Sequence, residues 1–317
     1  MKTAGLIYDD SRHYIDHLGP FCALKNWPLI VCESAVEDLA KQYYPDLTVI
    51  AMNRWDLSFP PSIVACETKS LIEASLGVCV SSELLWLPHG HSDKGWAISF
   101  FEALKNEKTA FIYGQRMKEV LIQKNIFIPT IPIGNFRYEY WLKHQDFYRK
   151  QVRKKIHFSL KNKTYLYAPT WEDAENNCSF WKAFPLLAAY LPASYNLIVK
   201  IHPNTYLKYE IEIEKMKFRF QAKKNICFLT DFPPIYPLLD ICNAYIGDMS
   251  SIGYDFLKFN RPMFFLNTKR LNTKDNPGFF LYRCGIEVLP EQIPSLFELD
   301  EGEFTKIRKE IYDYTFH

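Results

Sequence analysis

Apolar positions along the 317-residue chain fall into two rhythms. Short runs rich in aliphatic and β-branched residues occupy 4–8, 28–32, 47–51, 63–66, 84–87 and 109–113, and helical stretches lie between them. Strands alternating with helices predict a parallel sheet covered by helices. A basic stretch at 145–162 then breaks the pattern, with Arg149, Lys150, Arg153, Lys154, Lys155 and Lys161 against the single acid Asp146. After it the rhythm resumes: strands are expected at 165–168, 197–201, 226–229, 244–246 and 263–266, and helices over 181–190, 206–220 and 251–259. The tail, 293–314, reads as helix of the kind that packs back across the hinge of two-lobed folds. The pattern therefore predicts two Rossmann-like α/β domains, 1–144 and 145–317, whose parallel sheets face across a cleft.

Open parallel sheets bind ligands outside the carboxyl ends of their strands, where loop amides and helix N-termini converge. Four segments fall at such ends. Leu87-Pro88-His89-Gly90-His91-Ser92-Asp93-Lys94-Gly95 follows one strand and precedes a helical stretch at 96–104. An imidazole titrates near neutral pH, so His89 is suited to act as a general base on a hydroxyl. Gly90 permits close backbone approach to a ligand, and Lys94 can meet a phosphate. The plain alternative is a solvent-exposed turn histidine. His91 and Asp93 also admit a metal reading, for which the sequence names no third ligand.

Tyr165 to Glu172 reads as a strand ending in Pro169-Thr170-Trp171, whose hydroxyl can bond a phosphate and whose indole can wall a site. The alternative is a buried tryptophan in a turn. Val199-Lys200-Ile201-His202-Pro203 is again a strand end, and Lys200 and His202 alternate onto one face. Ile246-Gly247-Asp248-Met249-Ser250-Ser251 leads into a helix whose start offers amides and hydroxyls to an anion such as a diphosphate. Helix capping by Asp248 or Ser250 is the plain alternative there.

Composition bounds the partners more than it names them. The formal net charge is +2, so no global field marks a nucleic-acid binder. No uncharged apolar run approaches the roughly 18 residues of a membrane span, and Asp9 and Asp10 stand where a signal peptide would have its apolar stretch. A cytoplasmic protein is expected. Its eight cysteines lack the close spacing of a zinc knuckle or redox motif and read as reduced thiols in apolar segments. The basic residues from Arg149 to Lys163 interleave with Val152, Ile156, Phe158 and Leu160, which would let this stretch rest on the anionic inner face of the membrane at about 1 kcal/mol per basic residue. A solvated helix face is the alternative.

Taken together, these segments resemble the CDP-glycerol glycerophosphotransferase family of the teichoic-acid polymerase group, which uses the two-lobed GT-B fold. The resemblance rests on His89-Gly90 with Lys94, Tyr167-Ala168-Pro169-Thr170-Trp171, His202-Pro203, and Asp248-Met249-Ser250-Ser251-Ile252 with Tyr254-Asp255-Phe256-Leu257. Gly134-Asn135-Phe136-Arg137 is similar to the family's Gly-x-x-Arg segment before the crossover. The resemblance implies transfer of a phosphoalditol from CDP-glycerol or CDP-ribitol to a hydroxyl of a glycan or lipid-linked glycan, with release of CMP. It makes His89 the base toward the acceptor and His202 the group that stabilises the diphosphate or protonates the departing CMP. Ser250 and Ser251 would hold the diphosphate, and Gly90, Lys94, Arg137, Thr170, Trp171, Lys200 and Asp248 would serve substrate binding. No Asp-x-Asp motif is present, so the expectation is a reaction with neither metal nor cofactor.

This chain departs from the family at Glu172, where Arg is common, at Pro88, where Trp is common, and at Lys200, which stands two residues before His202 where Arg often precedes His-Pro. The first lobe starts almost at Met1, which favours single transfer over processive polymerisation. Two other readings stay open: a GT-B glycosyltransferase or UDP-GlcNAc 2-epimerase-like enzyme using a UDP- or CMP-sugar, and a catalytically lapsed nucleotide- or glycan-binding protein, which Glu172 keeps in play.

Overall fold

The computed structural model describes residues 2–54, 58–94, 101–173 and 175–317. It divides into two compact units: Met1–His91, Ser99–His144 and Tyr314–His317 form the first, Ser92–Ile98 and Gln145–Asp313 the second.

Among the described residues, seven strands build the first unit's sheet: β1 (Thr3–Ile7), β2 (Leu29–Val31), β3 (Val49–Ala51), β4 (Ser62–Ala65), β5 (Glu83–Trp86), β6 (Thr109–Ile112) and β7 (Thr130–Pro132). All pair in parallel, in the order β3-β2-β1-β4-β5-β6-β7. The order reverses direction between β1 and β4, the switch point where such sheets leave a crevice at their carboxyl ends. Ala4, Leu6, Ile30, Ile63 and Ala65 pack on one face with Ile72, Leu76 and Leu84. Gly5 is required by close packing: a Cβ there would lie 2.5 Å from Cys22 Sγ of the helix Ile15–Lys25 and 2.8 Å from Leu29.

The second unit's sheet comprises β8 (Lys163–Ala168), β9 (Tyr195–Lys200), β10 (Ile226–Leu229), β11 (Ala244–Gly247), β12 (Met263–Leu266) and β13 (Ile286–Val288), in the order β10-β9-β8-β11-β12-β13. These strands are also parallel. The switch point falls between β8 and β11, where Ala168 pairs with Gly247. Tyr165, Tyr167, Leu197, Val199, Ala244 and Ile246 face a core completed by Phe180, Phe184 and Leu187, and each fully buried large apolar side chain contributes roughly 1.5–3 kcal/mol.

The α/β reading with parallel sheets holds, with local differences. β7 and β13, each three residues long, were not expected from the pattern. The helix expected over 206–220 is two helices, Pro203–Lys208 and Glu210–Arg219, and the tail expected as one helix is a 3-10 segment, Pro290–Glu298, followed by Thr305–Phe316. Of the helix expected at 96–104, residues 96–100 lie outside the described residues, and Glu102–Asn106 is a 3-10 helix. The basic stretch forms the helix Gln145–Lys155 and a following loop. Val152 and Ile156 of this stretch are buried in the protein's own packing, Phe158 is half-buried and Leu160 is exposed. None of the eight cysteines, all of which lie among the described residues, is in a disulfide. Among the described residues no helix is long and apolar enough to cross a membrane.

Candidate functional site

In the second unit, two neighbouring strand ends are tied by one carboxylate. β8 runs into Pro169-Thr170-Trp171 and β11 into Asp248-Met249-Ser250-Ser251. Asp248, 1% exposed, accepts the Thr170 amide at 2.8 Å, the Ser179 amide at 2.9 Å and the Ser179 hydroxyl at 2.7 Å. Because Ser179 Oγ donates to Asp248, the 2.8 Å contact with Tyr167 is a hydrogen bond donated by the tyrosine. Burial pushes the Asp248 carboxyl up, against these hydrogen bonds and the nearby Lys94 cation. Asp248 is thus an internal brace that fixes Thr170 and the turn before Ser250.

Lys94 joins the same group. Its ammonium donates to Thr170 Oγ1 and pairs with Asp173 Oδ2 at 2.6 Å. The segment bearing it is anchored by Asp93, which accepts the Tyr254 hydroxyl at 2.5 Å and the Leu281 amide at 2.9 Å. Asp93 is therefore occupied by protein donors. Lys94 and the Thr170 hydroxyl place a cation and a rotatable donor side by side at the switch point, an arrangement suited to phosphate oxygens.

His202 caps the helix Pro203–Lys208, its Nδ1 accepting the Asn204 amide at 3.2 Å. That bond puts the proton of the neutral ring on Nε2, which leaves Nε2–H as a donor. The indole of Trp171 stacks on the imidazole, with centroids 6.0 Å apart and an interplanar angle of 26°. Lys200, at the end of β9, is 7% exposed. Glu172 is turned to neighbouring helices: it accepts the Tyr209 hydroxyl at 2.5 Å and faces Lys208 at 3.5 Å.

Ser250 and Ser251 precede the helix Ile252–Phe256, which is only five residues long and continues as a single 3-10 turn. So short a helix has a small dipole, and any anion affinity there rests on individual amides and hydroxyls.

In the first unit, His89 stands in a cluster of rings beyond the end of β5. The Tyr14 ring lies 5.1 Å away, His13 5.9 Å and His17 6.4 Å between centroids. His17 Nδ1 is 3.3 Å from the Tyr113 hydroxyl, which donates to the Pro88 carbonyl at 3.2 Å and so ties the loop to the cluster. Burial lowers His13 to about 3, with the nearby His89 adding to it, and lowers His17 well below the usual range, with the Arg137 cation next in effect. Gly90 has φ +114°, a left-handed conformation in which a side chain is strained.

Arg137 is 5% exposed and pairs with Asp16 at 3.0 Å, and Asp16 also accepts the Tyr44 hydroxyl at 2.9 Å. The guanidinium thus lies beneath the histidine cluster, paired within the protein. His91, 4% exposed, accepts from Arg116 Nε at 2.9 Å and is held neutral by burial and that cation.

Sequence reasoning passed over His13, Tyr14, His17, Glu67 and Ser179. The signal for three of them was present: Arg12-His13-Tyr14-Ile15-Asp16-His17 follows β1 as His89 follows β5, and His13 and His17 have the spacing of neighbours on one helix face. Glu67 and Ser179 gain their partners only through the sheet order.

These two units of parallel strands, with their polar groups gathered at the strand carboxyl ends, define an α/β fold of the GT-B type. Residues 130–281 match the model of the family described as CDP-Glycerol:Poly(glycerophosphate) glycerophosphotransferase, and this range holds Arg137, Thr170, Trp171, Lys200, His202, Asp248, Ser250 and Ser251. The match spans just under half of the chain, and over that stretch the chain is similar to this family of transferases. Wall teichoic acid polymerase TagF, in a histidine-to-asparagine form soaked with CDPG, is similar at TM-score 0.69 and 13% identity, over 99% of this chain and 84% of that one. Unsubstituted TagF gives 0.64 at 14% identity over 99% and 84%. S. aureus MnaA in its UDP co-structure gives 0.63 at 12% identity over 100% and 93%. Comparison with curated proteins found no match.

Proposed function

We propose that this enzyme transfers a phosphoalditol, glycerol phosphate or ribitol phosphate, from a CDP-alditol to a hydroxyl of a glycan or lipid-linked glycan and releases CMP. The observation that carries the reading is the brace at Asp248, which sets Lys94, Thr170 and the Ser250-Ser251 turn together within a stretch largely covered by the family match. Phosphoryl transfer needs positioning and electrostatic stabilisation more than covalent help from the protein. In the proposed reaction His89 takes the proton of the acceptor hydroxyl as its oxygen attacks the β-phosphorus. The bond to the CMP oxygen breaks, and His202, whose Nδ1 accepts the Asn204 amide so that a neutral ring carries its proton on Nε2, stabilises or protonates that leaving group. Lys94, Thr170, Ser250 and Ser251 would hold the diphosphate, with Lys200 and Trp171 beside them. Gly90 lets the His89 loop approach the acceptor, and Arg137 acts from beneath the cluster through Asp16. No metal or cofactor is assigned a step.

We further propose a cytoplasmic enzyme that meets the anionic inner face of the membrane through the basic stretch Arg149 to Lys163. Arg149, Lys150, Arg153 and Lys154 are exposed, while Val152 and Ile156 face inward. A thermal-shift panel tests the donor: CDP-glycerol or CDP-ribitol should raise the unfolding temperature, since a ligand of the native state stabilises by RT ln(1 + [L]/Kd). A clear preference for UDP-sugars would overturn the choice of donor.

A further inference from the structure

The ammonium of Lys94 already has an anionic partner within the second unit. Asp173 Oδ2 lies 2.6 Å from it, and the two side chains are 20% and 16% exposed, so the pair is largely withdrawn from water. The other oxygen of the Asp173 carboxylate accepts the Glu175 and Asn176 amides, each at 3.1 Å. Asn176 takes the left-handed conformation, φ +52°, which asparagine tolerates in such turns. One carboxylate thus folds the stretch after Trp171 through one oxygen and holds Lys94 through the other. Asp248 is a second carboxylate nearby: burial pushes it up, and the Lys94 cation is close enough to act against that. Beside the Thr170 hydroxyl, two carboxylates therefore face the Lys94 ammonium.

A diphosphate that approaches Lys94 brings negative charge toward a cation already neutralised by Asp173. To gain the ammonium it must exchange one oxyanion for another. We infer that Asp173 is a positioning residue, which holds Lys94 against the Thr170 hydroxyl when no donor is bound and competes with the donor's phosphates for the ammonium. Lys94 is thereby kept in place at the switch point, and donor affinity is set below what the ammonium alone would give. The competition rests on the transfer reading for the identity of the anion, whereas the ion pair stands on the geometry of the second unit.

The test is calorimetry on the full chain with inorganic pyrophosphate and with CDP-glycerol, comparing the parent with Asp173→Asn, Asp173→Glu, Lys94→Met and the Asp173→Asn, Lys94→Met double variant. In Asp173→Asn the side-chain oxygen can keep the turn amides while the negative charge opposite Lys94 is gone. Both ligands should bind about tenfold tighter to it than to the parent, and the gain should shrink as ionic strength rises. Asp173→Glu, which returns a carboxylate to the ammonium, should bind within about threefold of the parent. With Lys94 replaced by methionine, Asp173→Asn should change affinity by less than about twofold, because the ammonium in contention is absent. Should Asp173→Asn fail to fold, Asp173→Ser, whose hydroxyl still accepts a turn amide, carries the test. Unchanged or weaker pyrophosphate binding in Asp173→Asn, the same gain with Lys94 replaced, or no pyrophosphate binding by parent and variant alike would overturn the competition. CDP-glycerol binding that Asp173→Asn leaves unchanged would overturn it while the transfer reading stands. The expected pattern with pyrophosphate, without any CDP-alditol binding, would uphold the competition and remove the transfer reading.

Discussion

Asp248 accepts the main-chain amide of Thr170 at 2.8 Å, so one buried carboxylate sets the distance between the ends of β8 and β11. The Ser179 amide and hydroxyl both donate to its other oxygen. Asp248→Asn keeps the volume but turns an amide NH₂ toward donors. It should cost about 1–3 kcal/mol in urea unfolding, because a buried donor is left without an acceptor. Donor affinity should fall with it, and an undiminished stability would show that Asp248 is not a brace.

His91 predicts a pH dependence of stability. An unfolded histidine takes up a proton as the pH falls through about 6.5, whereas folded His91, buried beside Arg116, stays neutral well below that value. Below pH 6.5 the unfolded state therefore binds more protons. The stability present above that pH is lost as the pH falls, at up to about 1.4 kcal/mol per pH unit. His91→Gln keeps an acceptor for Arg116 and removes the titration. The advantage of the parent over this variant should shrink by up to about 2 kcal/mol between pH 6.5 and 5. Parallel stability curves would contradict the assignment.

Glu172 stands where the resemblance leads one to expect a cation, yet it is turned to Tyr209 and Lys208. Glu172→Gln should therefore leave the Kd for the nucleotide donor within about twofold, as partly exposed ion pairs contribute little. A tenfold or larger gain in affinity, measured by calorimetry, would instead place the carboxylate against the donor's phosphates.

Gly90 has φ +114°, and the loop it belongs to presents His89. Gly90→Ala should destabilise the chain by about 1–3 kcal/mol or reset the loop. Either outcome should lower turnover more than donor affinity, which a comparison of kcat with Kd checks. An alanine variant with parental turnover and stability would show that the left-handed conformation is dispensable.

Much of this architecture was legible because buried parallel strands read as apolar runs and the sites sit where those runs end. The pattern placed His89, Thr170, His202 and Asp248 at or just beyond strand ends, where the structure has them, without any long-range information. It missed β7 and β13, each three residues long, because so short a segment, with Pro132 in one and Glu287 in the other, offers no periodicity. The break between the helices Pro203–Lys208 and Glu210–Arg219 falls at Tyr209, whose ring meets Trp181 at 5.2 Å and whose hydroxyl holds Glu172. Those contacts are tertiary, and the local sequence has no proline or glycine to announce them. Likewise Glu67 meets Tyr8 and Tyr14 only because β4 lies beside β1, an adjacency fixed by the fold and not by spacing along the chain.

The most direct measurement is release of CMP from CDP-glycerol and CDP-ribitol by the parent chain and by His89→Ala, with donor affinity measured on both. With a polyol or glycan hydroxyl as acceptor, the parent should release CMP, and His89→Ala should lose at least about a hundredfold in turnover while binding donor within about threefold of the parent. Turnover of a UDP-sugar with no CMP from either CDP-alditol, or a His89→Ala variant as active as the parent, would contradict the account.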